Sequence, residues 1–155
     1  MDIVSKEKRS WNMSRIRSKD TNPEKIIRSL LHRMGYRFRL HDKGLPGKPD
    51  IVLPKYKTVI FVHGCFWHQH LKCKYAYTPK SKVVFWEKKF ADNISRFKIV
   101  KKKLEHLNWN VFVIWECEIK SNADLVNKLG RYIKYFSFLN FPAKLGNDNK
   151  NVIGK

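Results

Sequence analysis

Apolar residues recur along this chain with helical spacing in three places. Thr21 and Glu24 open the first segment as a capping box, and Gly35 ends it. The second segment covers residues 81–107 and the last covers residues 123–136. The apolar positions are Ile26, Ile27, Leu30, Leu31 and Met34, then Val83, Trp86, Phe90, Ile94, Phe97, Val100, Leu104 and Leu107, then Leu125, Val126, Leu129, Ile133 and Phe136. Three amphipathic helices are therefore predicted.

Four other segments have the pattern of strands. Residues 36–40 alternate between apolar and basic side chains, which predicts a half-exposed strand. Residues 50–53, 58–62 and 110–115 are nearly unbroken apolar runs, which predict buried strands. The order helix, three strands, helix, strand, helix predicts a single-domain α/β protein with a small mixed sheet flanked by helices.

The second and third predicted strands are close enough in sequence to pair as a hairpin. Folding the chain about Tyr56 places Asp50 across from Val62 and His63. One carboxylate is therefore expected beside the start of a histidine- and cysteine-rich stretch, residues 63–73.

Composition predicts one packed domain, since 43% of the 155 residues are hydrophobic and 14% are aromatic. We expect a basic N-terminal arm over residues 1–20, a folded domain over 21–136 and a loose tail over 137–155. No run approaches the roughly 18 apolar residues of a membrane span, and the N-terminus lacks an apolar signal core. These features predict a soluble cytoplasmic protein with no membrane partner.

The charge of the chain indicates the class of its partner. Its 33 Lys and Arg against 13 Asp and Glu give a net charge of +20. Such an excess attracts a polyanion, which favours nucleic acid, whereas solubility alone needs far less charge. A membrane surface is the weaker alternative, because each amphipathic helix is needed to form the core.

Three cysteines are an odd number, which excludes a complete disulfide framework and favours metal binding beside the histidines. Cys65, His70, Cys73 and Cys117 would supply the three thiolates and one imidazole of a closed tetrahedral zinc site. The alternative is that the cysteines are small buried hydrophobes and the histidines are surface groups.

His63 and His68 are left over by that zinc site. Together with Asp50 they could bind Mg²⁺ through the carboxylate and activate water through an imidazole, as phosphodiester hydrolysis requires. For Phe66 and Trp67, between the two histidines, core packing and insertion between base pairs are both open.

Several motifs stand together in the order of a known family. They are Leu45-Pro46-Gly47-Lys48-Pro49-Asp50, then Val59-Ile60-Phe61-Val62-His63-Gly64-Cys65-Phe66-Trp67-His68, then Trp115-Glu116-Cys117. Arg9-Ser10-Trp11-Asn12-Met13 and Phe85-Trp86 belong to the same likeness. With these motifs the chain resembles the very short patch repair (Vsr-type) DNA mismatch endonucleases.

The resemblance implies a restriction-endonuclease-like fold of the PD-(D/E)XK type with a structural zinc. It also implies Mg²⁺-dependent nicking on the 5′ side of the thymine in T:G mismatches, which arise when 5-methylcytosine deaminates. The (D/E)XK half of the motif is replaced by Val62-His63-Gly64. This replacement agrees with the Vsr branch and argues against an ordinary restriction enzyme.

The resemblance also assigns catalytic roles. Asp50 would bind Mg²⁺, with the main-chain carbonyl of Val62 as a second ligand. His68 would be the general base, and His63 would assist near the scissile phosphate. Glu24, which capping alone explains, would also orient a histidine or share a proton with it. The four zinc ligands carry over unchanged.

The remaining implied residues contact DNA. Phe66, Trp67 and Trp86 would form a wedge beside the mismatch. Trp86 also lies on the apolar face of the long predicted helix, where it could instead pack in the protein core. An N-terminal arm around Trp11 would grip the DNA from the other groove. The implied arm residues are Arg9, Trp11 and Arg15.

The expected partner is double-stranded DNA with a T:G mismatch. The resemblance adds mismatch-repair proteins and a cytosine-5 methyltransferase as functional partners, for a monomer associated with the bacterial nucleoid. Two alternatives stay open: a related DNA nuclease without mismatch specificity, and a zinc-stabilised DNA-binding module without catalysis.

Overall fold

The computed structural model describes residues 5–15, 19–121 and 124–140. Residues 1–4 and 16–18 of the predicted arm, the predicted helix start at Ala123 and residues 141–155 of the predicted tail lie outside these ranges. The described helices are α1 (Lys6–Ser14), α2 (Asn22–Arg33), α3 (Val83–His106), α4 (Glu116–Ser121) and α5 (Leu125–Asn140). The strands are β1 (Arg39–Leu40), β2 (Ile51–Leu53), β3 (Thr58–His63) and β4 (Asn110–Trp115).

The four strands form one mixed sheet in the order β1-β2-β3-β4. The β1–β2 and β2–β3 pairs are antiparallel, whereas β3 and β4 are parallel and connected by α3. A parallel pair needs such a crossover, and the longest predicted helix provides it. The predicted α/β architecture with a small mixed sheet and helices is confirmed.

Side chains of the sheet are buried on both faces, in two clusters. One cluster packs α2 and α5 against one face of the sheet, and the other packs α3 against the opposite face. Members of the first include Ile27, Leu31, Ile51, Ile60, Ile114, Leu129 and Ile133, and members of the second include Val52, Val59, Phe61 and Leu104. Because successive strand residues point to opposite faces, the unbroken apolar runs are what a sheet covered on both sides requires.

Helix α2 begins with the predicted capping box. The Thr21 hydroxyl accepts from the backbone N–H of Glu24, and the Glu24 carboxylate accepts from the backbone N–H of Thr21. Gly35 follows the helix with φ +82°, which glycine adopts without strain. Ile26 was predicted on the buried face of α2 but is 50% exposed. It lies at the edge of that face, whereas Ile27 and Leu30 face the sheet.

The predicted hairpin is present, but its register differs by one residue. A 3-10 turn at Pro54–Tyr56 and Lys57 in the left-handed region connect the strands, and Ile51 pairs with Ile60. This register places Asp50 opposite Phe61, the residue before Val62. Its carboxylate nevertheless reaches the Val62 backbone N–H.

Other boundaries also differ from the sequence pattern. Of residues 36–40, only Arg39–Leu40 pair as a strand, while Tyr36 and Phe38 pack on the first core cluster. Val83, Leu107 and Val126, which the spacing assigned to apolar faces, are exposed. Helix α4 was not predicted, and α5 continues to Asn140 rather than ending at Phe136. Among the described residues, no helix is long and apolar enough to cross a membrane.

Candidate active site

A cleft of about 930 Å³ opens where β3 ends, between α2 and α3. Asp50, His63, His68 and Glu24 all line it. The four side chains that the sequence analysis named as catalytic are therefore brought to one cavity, although they come from three separate parts of the chain.

The Asp50 carboxylate is held at the start of β2. Its Oδ2 accepts a hydrogen bond of 2.8 Å from the Val62 backbone N–H. The pKa of Asp50 is raised to about 6, chiefly by burial and in part by the nearby Glu24, although the Val62 N–H lowers it. A carboxylate that burial disfavours as an anion is a group that a bound cation would stabilise.

The rings of His63 and His68 stack on each other, with centroids 3.7 Å apart and an interplanar angle of 8°. Phe97 meets both rings edge-on. Burial and the neighbouring His68 lower the pKa of His63 to about 3, and burial lowers the pKa of His68. Both imidazoles are therefore neutral near pH 7, the state in which an imidazole can accept a proton.

Glu24 is buried and accepts hydrogen bonds from several groups. Besides the capping contacts, its Oε2 accepts from Arg28 at 2.6 Å and from the backbone N–H of Asp20 at 3.0 Å. The histidine beside it is His41, whose Nε2 lies 3.8 Å away. Asp20, Glu24 and His41 are close enough to hold a metal ion. The Arg28 guanidinium, however, already bridges both carboxylates.

The predicted zinc ligands also lie together. One donor atom each of Cys65, His70, Cys73 and Cys117 falls within 4.8 Å of the others. His70 Nδ1 is 3.2 Å from Cys117 Sγ and 3.8 Å from Cys65 Sγ. Ligands of a tetrahedral zinc, bound at about 2.0–2.3 Å, stand about 3–4 Å apart, so this group fits such an ion.

Trp115 lies between this Cys/His cluster and the cleft. Its indole stacks on His70 at 4.1 Å and 7°, and it meets His63 edge-on at 5.2 Å. Because His63 and Trp115 are paired residues of β3 and β4, the sheet itself fixes this contact.

Phe66, Trp67 and Trp86 form one aromatic group beside the cleft. Phe66 contacts Trp67 at 5.1 Å and Trp86 at 5.4 Å, and Trp86 stacks on the buried Phe90. All three are half-buried, and the Trp67 carbonyl accepts from Asn93 Nδ2. Trp86 thus stacks on a buried core residue and also contacts the other two aromatics, with its ring tilted at 50° to that of Trp67.

The arm residues that can be described lie on α1. Trp11 is 50% exposed, with Lys8 Nζ and the Arg15 guanidinium 4.8 and 4.6 Å from its ring. Two cations on one indole are attracted by its π face and give an exposed basic surface. The side chain of Arg9 lies outside the described residues.

Sequence reasoning missed several residues of the cleft. His41, Asn93 and Arg96 line it, and Phe97 orients the histidine stack. Asn93 and Arg96 precede Phe97 on the same side of α3, so a polar patch beside an apolar face was the signal that could have found them. No pattern marked His41.

Taken together, the half-buried Asp50 carboxylate, two neutral imidazoles and a strongly basic chain suit metal-assisted hydrolysis of a phosphodiester. Comparison with known proteins agrees with this class. Residues 1–74 match the family described as DNA mismatch endonuclease Vsr.

Several relatives match over most of the chain, and three of them illustrate the similarity. The type II nicking enzyme V.XorIIP of Xanthomonas oryzae pv. oryzae is 47% identical over 83% of this chain and 93% of its own length. V.NmeAIP of Neisseria meningitidis serogroup A is 44% identical over 86% and 94%. DNA mismatch endonuclease Vsr of Escherichia coli is 39% identical over 82% and 81%. The chain belongs to the Vsr family of DNA mismatch endonucleases, and the resemblance is confirmed.

Proposed function

We propose that this protein nicks duplex DNA on the 5′ side of the thymine in T:G mismatches formed by deamination of 5-methylcytosine, and so initiates very short patch repair. Family membership supports the reaction class, as do the names of the relatives as nicking enzymes and a mismatch endonuclease. The observation that carries the proposal is the convergence of Asp50, His63, His68 and Glu24 on one cleft.

In the proposed mechanism Asp50 and the Val62 carbonyl would hold Mg²⁺. The ion would offset charge on the phosphate oxygens. The Val62 N–H orients Asp50 by bonding one carboxylate oxygen, and no other described residue bonds the second. The fold supporting this site is proposed to be of the restriction-endonuclease-like, PD-(D/E)XK type.

His68 is proposed to take the proton from the attacking water. Its lowered pKa keeps it neutral and ready to accept at neutral pH. His63 is proposed to assist near the phosphate and to hold the His68 ring by stacking. Glu24 would act through electrostatics on Asp50 and through its contacts with Arg28 and His41, the histidine beside it.

The Cys/His cluster is proposed to hold a structural zinc. A backbone N–H from Tyr75 lowers the pKa of Cys73, which favours the thiolate that zinc needs.

Phe66, Trp67 and Trp86 are proposed as the wedge that enters the base stack, and Trp11, Arg15 and Arg9 as the DNA-gripping arm. The protein is also proposed to be a bacterial, nucleoid-associated monomer that has mismatch-repair proteins and a cytosine-5 methyltransferase as functional partners.

A nicking assay tests the proposal with duplexes that differ only by T:G or T:A at one position. We expect Mg²⁺-dependent cleavage 5′ of the thymine in the T:G duplex alone. Asp50→Asn should lower the rate about 100-fold or more, because metal charge stabilisation contributes several kcal/mol. Asp92→Asn, the same change on the exposed side of α3, should cleave normally.

Two results would replace the proposal. Equal cleavage of T:G and T:A duplexes would indicate a related nuclease without mismatch specificity. Tight binding of duplex DNA with no cleavage in any metal would indicate a zinc-stabilised DNA-binding module.

A further inference from the structure

The candidate active site has a cationic rim that the proposed chemistry does not use. Lys19, Lys43, Lys48 and Arg96 line the cleft. Across the described part of the chain, none of these four side chains forms an ion pair with a carboxylate. Unneutralised cations at the edge of a cleft raise the local concentration of an anion there.

Two of these lysines belong to a loop with fixed geometry, residues 42–49, which we call the cleft loop. The Asp42 carboxylate accepts from the Gly44 N–H at 2.8 Å, and the Lys48 N–H donates to the Leu45 carbonyl at 3.2 Å. These bonds hold the loop in consecutive turns.

Gly47 presses the cleft loop against α3. It has φ +74°, and a Cβ atom there would lie 2.3 Å from Val100 Cγ1. Only a residue without a side chain permits this approach. Lys43 and Lys48 are thus carried by backbone that is positioned before any ligand arrives, which lowers the entropy lost on binding.

The lysines on α3 provide a comparison, because Lys98 and Lys102 face away from the cleft. The residues of α3 that line the cleft are Asn93, Arg96, Phe97 and Val100. At roughly 100° per residue, Lys98 and Lys102 lie about half a turn away from that side of the helix. Both are exposed, and neither lines the cleft.

We propose that the cleft loop is a phosphate-binding clamp, in which Lys43 and Lys48, together with Arg96, contact backbone phosphates of the DNA flanking the scissile bond. This inference rests on the proposed function, because it takes the anion to be the DNA substrate. Lysine contacts to phosphate position a duplex without reading its sequence. The clamp therefore acts on matched and mismatched duplexes alike.

Salt dependence of DNA binding tests the clamp. The variants are Lys43→Gln/Lys48→Gln and, as the matched control, Lys98→Gln/Lys102→Gln; each lowers the net charge of +20 by two. Affinity for T:G and T:A duplexes is measured without Mg²⁺, between about 50 and 200 mM salt. The slope of log K against log salt should become shallower by about 1.8 in the loop variant, because each lost phosphate contact removes about 0.9. The control should keep the parent slope.

Steady-state nicking supplies the second measurement. The loop variant should raise KM for DNA and leave kcat at saturating DNA within about twofold, since its lysines position the duplex rather than act on the reacting atoms. Equal changes of slope in the two pairs, or no change in either, would overturn the clamp. A thermal melt of each variant shows whether it is folded.

The two proposals fail separately. A protein that nicks T:G duplexes but shows no loop-specific change of slope would reject the clamp alone. A protein that shows the expected slopes but cleaves no T:G duplex would keep the clamp and reject the proposed function.

Discussion

At the scale of single residues, the feature that matters most is that Asp50 is largely shielded from solvent and accepts one hydrogen bond from the described part of the chain. Burial favours its protonated form in the folded chain, so the carboxylate opposes folding at neutral pH when no cation is bound. The metal-free fold is thus less stable at neutral pH, but the ionised Asp50 is positioned to bind a metal ion.

Asp50→Asn should therefore stabilise the metal-free protein at high pH. Because the pKa of Asp50 is about 6 in the folded protein against an ordinary value of 3.8, the stability that Asp50 contributes is present below about pH 4 and is lost as pH rises through 6. Asparagine cannot ionise. Above pH 6 the variant should exceed the parent by about 1–3 kcal/mol, at about 1.4 kcal/mol per pKa unit. Denaturant unfolding in Mg²⁺-free buffer between pH 4 and 8 measures this difference.

Asp92→Asn is the control for this prediction, since that exposed aspartate should change stability little at any pH. A parent protein whose advantage over Asp50→Asn grows between pH 4 and 8 would contradict the sign. Addition of Mg²⁺ should reverse the ranking if the ion binds at Asp50.

At the scale of elements, the contact between the cleft loop and α3 depends on one glycine. Gly47 and Gly35 both have positive φ, of +74° and +82°, but only Gly47 has a neighbour where a side chain would go. A substitution by alanine at Gly35 therefore measures the cost of the left-handed backbone alone. The same substitution at Gly47 adds the cost of the clash with Val100.

Gly35→Ala should lower the free energy of unfolding by about 1 kcal/mol, the cost of a left-handed backbone for alanine. Gly47→Ala should lower it by about 2–4 kcal/mol, because Val100 must also move. Chemical denaturation measures both. Adding Val100→Ala should recover part of the loss at Gly47, and equal effects at the two glycines would show that the contact carries no strain.

The elements themselves were largely predictable. The β4 bounds agree with the sequence pattern because an apolar run between Asn108 and Glu116 has clear ends. The strand predicted over residues 36–40 is longer than the observed one. Tyr36 and Phe38 gain their burial by packing on the first core cluster, and Tyr36 also packs on Tyr56 of the 3-10 turn, so neither is buried through pairing with another strand. Local alternation cannot distinguish these two sources of burial.

At the scale of the whole molecule, the Cys/His cluster joins Cys117, at the start of α4 directly after β4, to the stretch that also carries the histidines and aromatics. Through Trp115, it also contacts the histidine stack. Loss of an ion bound by this cluster should therefore disturb the proposed wedge and the cleft together.

His70→Asn should abolish binding of one zinc ion per protein and lower T:G nicking at least tenfold, because the stretch loses its attachment to Cys117 of α4. Zinc content by atomic emission and the nicking rate measure these effects. His32→Asn, an exposed histidine of α2, should change neither. A zinc-free protein that nicks T:G duplexes at full rate would contradict the structural role.

The sequence by itself determined the class of fold, the basic character of the chain and the candidate ligands. These properties reside in residue types and local spacing: apolar period gives helices and strands, and three cysteines with spare histidines indicate a metal site. Because the motifs of the family are also local, the resemblance could be recognised before the fold was known.

Only the tertiary structure decided which groups share a space. It brings His41 beside Glu24 and Arg28, packs Phe97 against the stacked rings of His63 and His68, and places the cleft loop against α3. These contacts depend on sheet register and helix packing, in which residues distant in sequence meet. The protonation of Asp50 and the histidines follows from burial, which no local pattern of the chain contains.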